Sequence, residues 1–175
     1  AAYIQTVSFN ANSGTNCMRM YNQNDANATM MLIAPEVSTL SAGTHRANFW
    51  MRADTTVTIG TMTNPANPGT FTPLQTLQGL NNGSYTNFRV DFTGYTGTDT
   101  YIAFLWNPGA TYDNVYLDDF CWEILPTCEK APSVTVLNPG IDSTSINIGW
   151  NNDTSQVSFI VNYGPAGYDP VNNPA

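Results

Sequence analysis

Along this chain apolar side chains recur at every second residue in short runs, and Gly, Pro, Asn and Asp break the runs roughly every eight to twelve residues. Helical spacing is almost absent, so the chain reads as all-β. The runs predict strands at Tyr3–Phe9, Cys17–Tyr21, Thr29–Ile33, His45–Arg52, Thr56–Thr61, Tyr85–Phe92, Tyr101–Trp106 and Tyr116–Ile124. Eight strands of this kind suit a jelly-roll β-sandwich. Between them, the segment Thr63–Gly69 carries Pro65 and Pro68, which cannot donate to a ladder, and Asn and Gly residues that favour turns. It predicts a long exposed loop. Trp50 and Trp122 fall in the middle of apolar strands and are expected in the core.

The pattern changes after Pro126, which sets residues 1–126 as one domain and 127–175 as a linker with part of a second. Cys128-Glu129-Lys130-Ala131-Pro132 reads as the linker. Val134/Val136, Ile146/Ile148/Trp150 and Val157/Phe159/Val161/Tyr163 then alternate with polar residues, which predicts three more strands with one apolar face each. That stretch is roughly half of the ~100 residues an immunoglobulin-like sandwich uses, so the second sandwich is expected to be incomplete and the chain to belong to a longer multidomain array.

Composition narrows the partners. Lys and Arg total 5 against 13 Asp and Glu, a net charge of −8, and a surface of that sign repels nucleic-acid backbones and anionic lipid headgroups. Charged residues are only 10% of the chain, while Asn and Thr supply about a quarter, a polar surface typical of secreted β-proteins. The longest apolar run, Tyr101–Trp106, is far short of the ~20 residues a membrane helix needs, so no membrane insertion is expected.

Around the last strand of the first domain the alternation slips. Val115 and Leu117 share one phase, whereas Phe120, Trp122 and Ile124 fall on the other. One extra residue at Asp118-Asp119 restores a common core face, which predicts a β-bulge turning two carboxylates toward a neighbouring loop. Carboxylates pressed together need either a cation or hydrogen-bond donors such as backbone N–H groups.

A second constellation joins two strands: Trp106-Asn107-Pro108-Gly109-Ala110-Thr111-Tyr112-Asp113-Asn114. An aromatic face stacks on the apolar side of a sugar ring while amides and carboxylates bond its hydroxyls, so Trp106, Asn107, Tyr112 and Asp113 are candidate ligand-binding residues. Trp106 also shares the phase of Ile102 and Phe104, which fits burial equally well.

The only histidine, His45, stands beside Arg46 and reads as a surface residue; no nucleophile-elbow, zinc-protease or phosphate-loop motif accompanies it. Asp118 and Asp119 are adjacent, a poor arrangement for the two separated carboxylates of a glycosidase, so no catalytic residues are expected. Among Cys17, Cys121 and Cys128, a Cys17–Cys121 bridge would tie an early strand to the last one. A local Cys121–Cys128 bridge and three reduced thiols remain open. The glycosylation-like triplets at Asn27, Asn82 and Asn152 arise easily in a chain this rich in Asn and Thr.

The stretches Asn48-Phe49-Trp50-Met51-Arg52-Ala53, Ile59-Gly60-Thr61-Met62-Thr63-Asn64-Pro65, Gly94–Phe104 and Val115-Tyr116-Leu117-Asp118-Asp119-Phe120 resemble the MAM-like and cleaved-adhesin jelly-roll modules of Bacteroidota surface proteins, over most of residues 1–126. Pro132–Tyr168 resembles the opening of a fibronectin type III domain, with Ile146–Trp150 in place of its core-tryptophan strand. The resemblance implies a non-catalytic adhesion or glycan-binding module of a large extracellular or cell-surface protein, often exported by type IX secretion. Its partners would be a surface glycan or a host or cell-surface protein. It also admits a structural spacer, or an accessory domain of a secreted peptidase or polysaccharide-degrading enzyme. In such modules the Asp118-Asp119 position holds structural calcium, completed by oxygens of a loop near the N-terminus; here Asp118, Asp119, Asn10 and Asn12 would be the ligands.

Overall fold

The computed structural model describes residues 1–126, 133–141 and 146–151. Apart from two short 3-10 turns these residues are strands and loops, with no α-helix among them. The chain divides into two compact units, Ala1–Leu125 and Pro126–Ala175.

The first unit has nine strands: β1 (Tyr3–Val7), β2 (Cys17–Tyr21), β3 (Met30–Ile33), β4 (His45–Ala53), β5 (Val57–Met62), β6 (Thr72–Leu77), β7 (Thr86–Asp91), β8 (Tyr101–Trp106) and β9 (Asn114–Ile124). They form two antiparallel sheets, β1-β2-β9-β4-β7 and β3-β8-β5-β6, and most successive strands cross from one sheet to the other in the jelly-roll manner. Each crossing places one apolar phase of a strand against the facing sheet. On the five-stranded sheet Met20, Ala47, Phe49, Met51, Val115 and Leu117 turn inward; on the other, Val57, Ile59, Ile102, Phe104 and Trp106 meet them.

The core is organised around Phe49. Its ring lies 5.0 Å from that of Phe104, edge to face, and 5.7 and 6.3 Å from Phe88 and Phe120, so four phenylalanines clamp the two sheets together. Phe120 reaches them because β9 carries the expected bulge: Asn48 pairs with Cys121 and Trp50 with Asp118, leaving Phe49 opposite both Asp119 and Phe120. Asp119 takes the extra-residue position at a left-handed φ of 49°, a conformation that short Asp and Asn side chains tolerate better than most.

Two sequence expectations change. Trp50 does not enter the core: it alternates with fully buried Phe49 and Met51, so it is half-buried on the outer face of the five-stranded sheet. Trp122 does pack against the core at its edge, donating Nε1–H to Thr39 Oγ1 at 2.9 Å. Strand β6 escaped the sequence reading because five of its six residues are exposed and Pro73 interrupts it. It survives as an edge strand bonded only to β5. The loop predicted at Thr63–Gly69 is present and exposed, and it is followed by Phe71, which lies over Gly60. A Cβ at Gly60 would fall 2.3 Å from the Thr72 carbonyl oxygen, so only glycine allows that approach.

In the second unit, β10 (Ser133–Ile141) and β11 (Ile146–Asn151) pair antiparallel with Val134 opposite Trp150 and Val136 opposite Ile148. The strand expected at Val157–Tyr163 lies outside the described residues. For the first unit, Phe49→Ala is expected to cost about 3–5 kcal/mol in denaturant unfolding, against much less for Phe49→Leu. Equal losses for the two would show that ring contacts do not organise this core.

Candidate functional site

The bulge sets Asp118 and Asp119 against the loop between β1 and β2, and five donors meet their four carboxylate oxygens. Backbone N–H groups of Asn12 and Ser13 donate to Asp118 Oδ2 at 2.7 and 3.2 Å, and that of Asp119 donates to Asp118 Oδ1 at 2.8 Å. Ser13 Oγ–H reaches Asp119 Oδ1 at 2.5 Å and Asn12 Nδ2 reaches Asp119 Oδ2 at 2.9 Å. The Ser13 and Asn12 bonds hold the Asp119 carboxyl below the usual aspartate range. Asn10 is not brought to the acids; its backbone carbonyl instead accepts the Tyr85 hydroxyl at 2.7 Å. Among the described residues no three His, Cys, Asp or Glu side chains gather into a metal site, and the two carboxylates are met here by donors of the chain itself.

The predicted sugar platform between β8 and β9 is not assembled. The Trp106 indole is fully buried and donates Nε1–H to Thr55 Oγ1 at 2.9 Å, so it cannot stack on a ligand. Tyr112 is 61% exposed at a φ of 64°, and Asn107 is exposed. Asp113 turns one carboxylate oxygen inward without a donor, and burial, with Asp54 nearby, pushes its pKa up. The Cys17–Cys121 bridge is also absent, since both are free thiols. Cys17 lies level with Asp118, one step beyond the Met18–Leu117 pair, so Cys121 stands three residues further along β9. At ~3.3 Å per residue that is roughly 10 Å, beyond the ~7 Å Cα limit for a disulfide.

A different surface carries the chemistry. The outer face of the five-stranded sheet presents the polar phase of each strand, and that phase is rich in rings, guanidinium groups and amides. Strand register aligns Gln5 with Arg19, Arg19 with Tyr116, and Tyr116 with Arg52. The Arg52 guanidinium lies 4.6 Å from the Tyr116 ring centre and 5.5 Å from that of Tyr85. On the other side, Arg19 lies 4.0 Å from the ring centre of Tyr21, 5.7 Å from Phe9 and 5.8 Å from Tyr116. The row Gln5–Arg19–Tyr116–Arg52–Tyr85 crosses about 19 Å, four interstrand steps of ~4.8 Å. Its neighbours are the paired Tyr3 and Tyr21 in one direction, and Trp50 paired with Asn87 in the other.

The loop between β1 and β2 bounds this floor. Phe9 packs edge to face on Tyr116 at 6.5 Å, and Val7, Cys17 and Tyr116 form a small cluster beneath it with Ala11 and Tyr85 alongside. Tyr116 is only 4% exposed, Arg19, Tyr21, Trp50 and Arg52 are half-buried, and Phe9 and Tyr3 form an exposed rim. Stacking over rings fixes each guanidinium plane and leaves its N–H edge available to a ligand oxygen. The sequence signal for this site was the phase itself: Arg19/Tyr21, Asn48/Trp50/Arg52 and Asn114/Tyr116 sit on alternate positions opposite the core set.

No family model and no curated protein matches the chain. Solved structures do. The K2 cleaved adhesin domain of Lys-gingipain superposes with a TM-score of 0.52 at 18% identity, covering 69% of this chain and 82% of that one. A family 30 carbohydrate-binding module gives 0.52 at 9% identity, covering 74% and 78%. The family 30 module of a cellulosomal cellulase of Clostridium thermocellum gives 0.51 at 11% identity, covering 69% and 82%. The likeness is one of fold, and it agrees with the jelly-roll expectation.

The Asp119 bonds generate a pH prediction. A carboxyl held below its ordinary pKa of about 3.9 contributes stability above that pH and loses it as pH falls further. Asp119→Asn, which keeps the left-handed backbone comfortable, is expected to lower stability at pH 7 by less than about 1 kcal/mol because the carboxylate is exposed. In chelator, thermal melts of the two proteins should converge as pH falls below the ordinary aspartate pKa and through the lowered folded-state value. A gap unchanged across that range would show that charge plays no part.

Proposed function

We propose that residues 1–125 form a non-catalytic glycan-binding module of an extracellular adhesin-type protein, with the outer face of the five-stranded sheet as its binding surface. The carrying observation is the set of half-buried rings, Tyr21 and Trp50 with Tyr3 and Phe9 at the rim, interleaved with Arg19, Arg52, Asn48 and Asn87 on one sheet face. Rings stack on the apolar side of pyranoses, and planar amide and guanidinium groups bond ring hydroxyls. A row about 19 Å long suits an extended oligosaccharide rather than a single sugar. A jelly roll of cleaved-adhesin type supports export to the cell surface, and type IX secretion belongs to the same reading. The lone His45 supports a role without catalysis: its ring stacks on Trp122 at 5.3 Å and its Nδ1 is bonded with Thr44 Oγ1 at 2.9 Å.

Each module need not bind tightly, because repetition along a multidomain chain raises effective concentration. The test is a glycan array probed with the full 175-residue chain. Trp50→Ala and Tyr21→Ala should each weaken the best hit about tenfold, roughly 1.4 kcal/mol, with melting temperature retained, whereas Tyr112→Ala leaves it unchanged. Binding of no glycan would return the module to the role of spacer or enzyme accessory.

Calcium forms part of the same proposal, held by Asp118, Asp119, Asn12 and Ser13, where it would supply positive charge that pins the loop between β1 and β2 to β9. Saturating calcium is expected to raise the melting temperature over the chelated protein, since a ligand held only by the folded state stabilises it. An unchanged temperature removes calcium from the proposal.

A further inference from the structure

Charge on this molecule is not distributed evenly. The chain carries 13 acids and 5 basic residues. Yet all four of its arginines, Arg19, Arg46, Arg52 and Arg89, occupy outer-phase positions of the five-stranded sheet. Five acids lie on that side, Asp119 among them, bonded by the Ser13 hydroxyl and the Asn12 amide. Glu123 pairs with Arg46 at 2.6 Å. Asp118 takes the backbone N–H groups of Asn12 and Ser13, and Asp54 takes that of Asn114 at 2.6 Å. Asp91 lies opposite Arg46, at the far end from the Arg19–Arg52 row.

Arg89 lies opposite Asn48 and has a partner of its own, while Arg19 and Arg52 stand on either side of Tyr116, and among the described residues no acid pairs with either. Arg19 donates Nε–H to Asn114 Oδ1 at 2.7 Å. Among the described residues Arg52 meets the faces of Tyr116 and Tyr85, and its buried Nε has no hydrogen-bond partner there. A buried, unmet donor on a charged group is costly, and two like charges sharing one ring repel each other. An anion laid across the open edges of the two half-buried guanidinium groups offsets their repulsion, and guanidinium groups match carboxylate and sulfate oxygens in geometry.

We propose that this face selects acidic polysaccharides, with Arg19 and Arg52 receiving uronate or sulfate groups while Tyr21 and Trp50 stack on the sugar rings. This rests on the glycan-binding reading above and adds the substrate class. The net charge of −8 makes the choice selective, because an anionic polymer is repelled by the rest of the surface and gains only where the arginines face it.

The experiment is calorimetric titration of the full chain with polygalacturonate, alginate and chondroitin sulfate, each beside its carboxyl-reduced or desulfated form. At least one acidic polymer is expected to bind about tenfold more tightly than its neutral form, with affinity falling as salt rises. Which arm responds separates uronate from sulfate. Arg52→Gln and Arg19→Gln should each reduce the preference to within about twofold, and Arg52→Lys should restore part of it. Should Arg52→Gln unfold, Arg19→Gln and the salt dependence still decide. Equal binding of acidic and neutral forms overturns the inference and leaves glycan binding standing, as does a preference that survives both Gln variants. Binding of poly-glutamate as tight as that of the best polyuronate also overturns it, in favour of an acidic protein partner. Binding of no polysaccharide, here or on the array, defeats the glycan reading itself.

Discussion

The structure turns on one extra residue in its longest strand. β9 runs from Asn114 to Ile124 between β2 and β4, and a strand of that length with strict alternation would expose either Val115 and Leu117 or Phe120 and Trp122. The bulge at Asp118-Asp119 removes the conflict. Its lower half then contributes Phe120 to the aromatic clamp around Phe49, and its upper half contributes Val115 and Leu117 to the same core. Without it about half of the strand's apolar surface would face water, at ~25 cal/mol for each Å² exposed.

The bulge also creates a need on the other side. Two adjacent carboxylates in a bent strand must be met, and the loop between β1 and β2 folds back to meet them with Asn12 and Ser13. Because that loop is held there, Phe9 packs on Tyr116 and the Asn10 carbonyl takes the Tyr85 hydroxyl. The loop therefore becomes a wall beside the row of arginines and tyrosines. Core packing, carboxylate satisfaction and the shape of the outer face are consequences of a single slip in alternation.

That outer face departs from an ordinary solvated sheet in its side chains. Arginine stacked on tyrosine is a modest interaction, ~0.5–2 kcal/mol per pair depending on desolvation. It stabilises the sheet through cross-strand contacts, as paired side chains do elsewhere. It also restricts long side chains before any ligand arrives, so less rotamer entropy is lost on binding. A surface of free lysines would carry the same charge without that preorganisation.

Much of this was legible in the chain. Period-two alternation gave the all-β class, and the strands Cys17–Tyr21 and Tyr101–Trp106 begin and end where their apolar phase does. The bulge was legible too, because a phase reversal inside one strand is a local signal. β6 was not, since an exposed edge strand owes its existence to hydrogen bonds from β5 and has no apolar face to announce it. A place in the middle of an apolar strand puts Trp50 in the core only if its phase is ignored, since Asn48 and Arg52 mark its side as outward. The local sequence thus determined which residues alternate and where alternation fails. Only the tertiary structure brought positions 19, 116, 52 and 85 into one row, because strand register joins residues far apart in sequence and no local pattern encodes which of them will become neighbours.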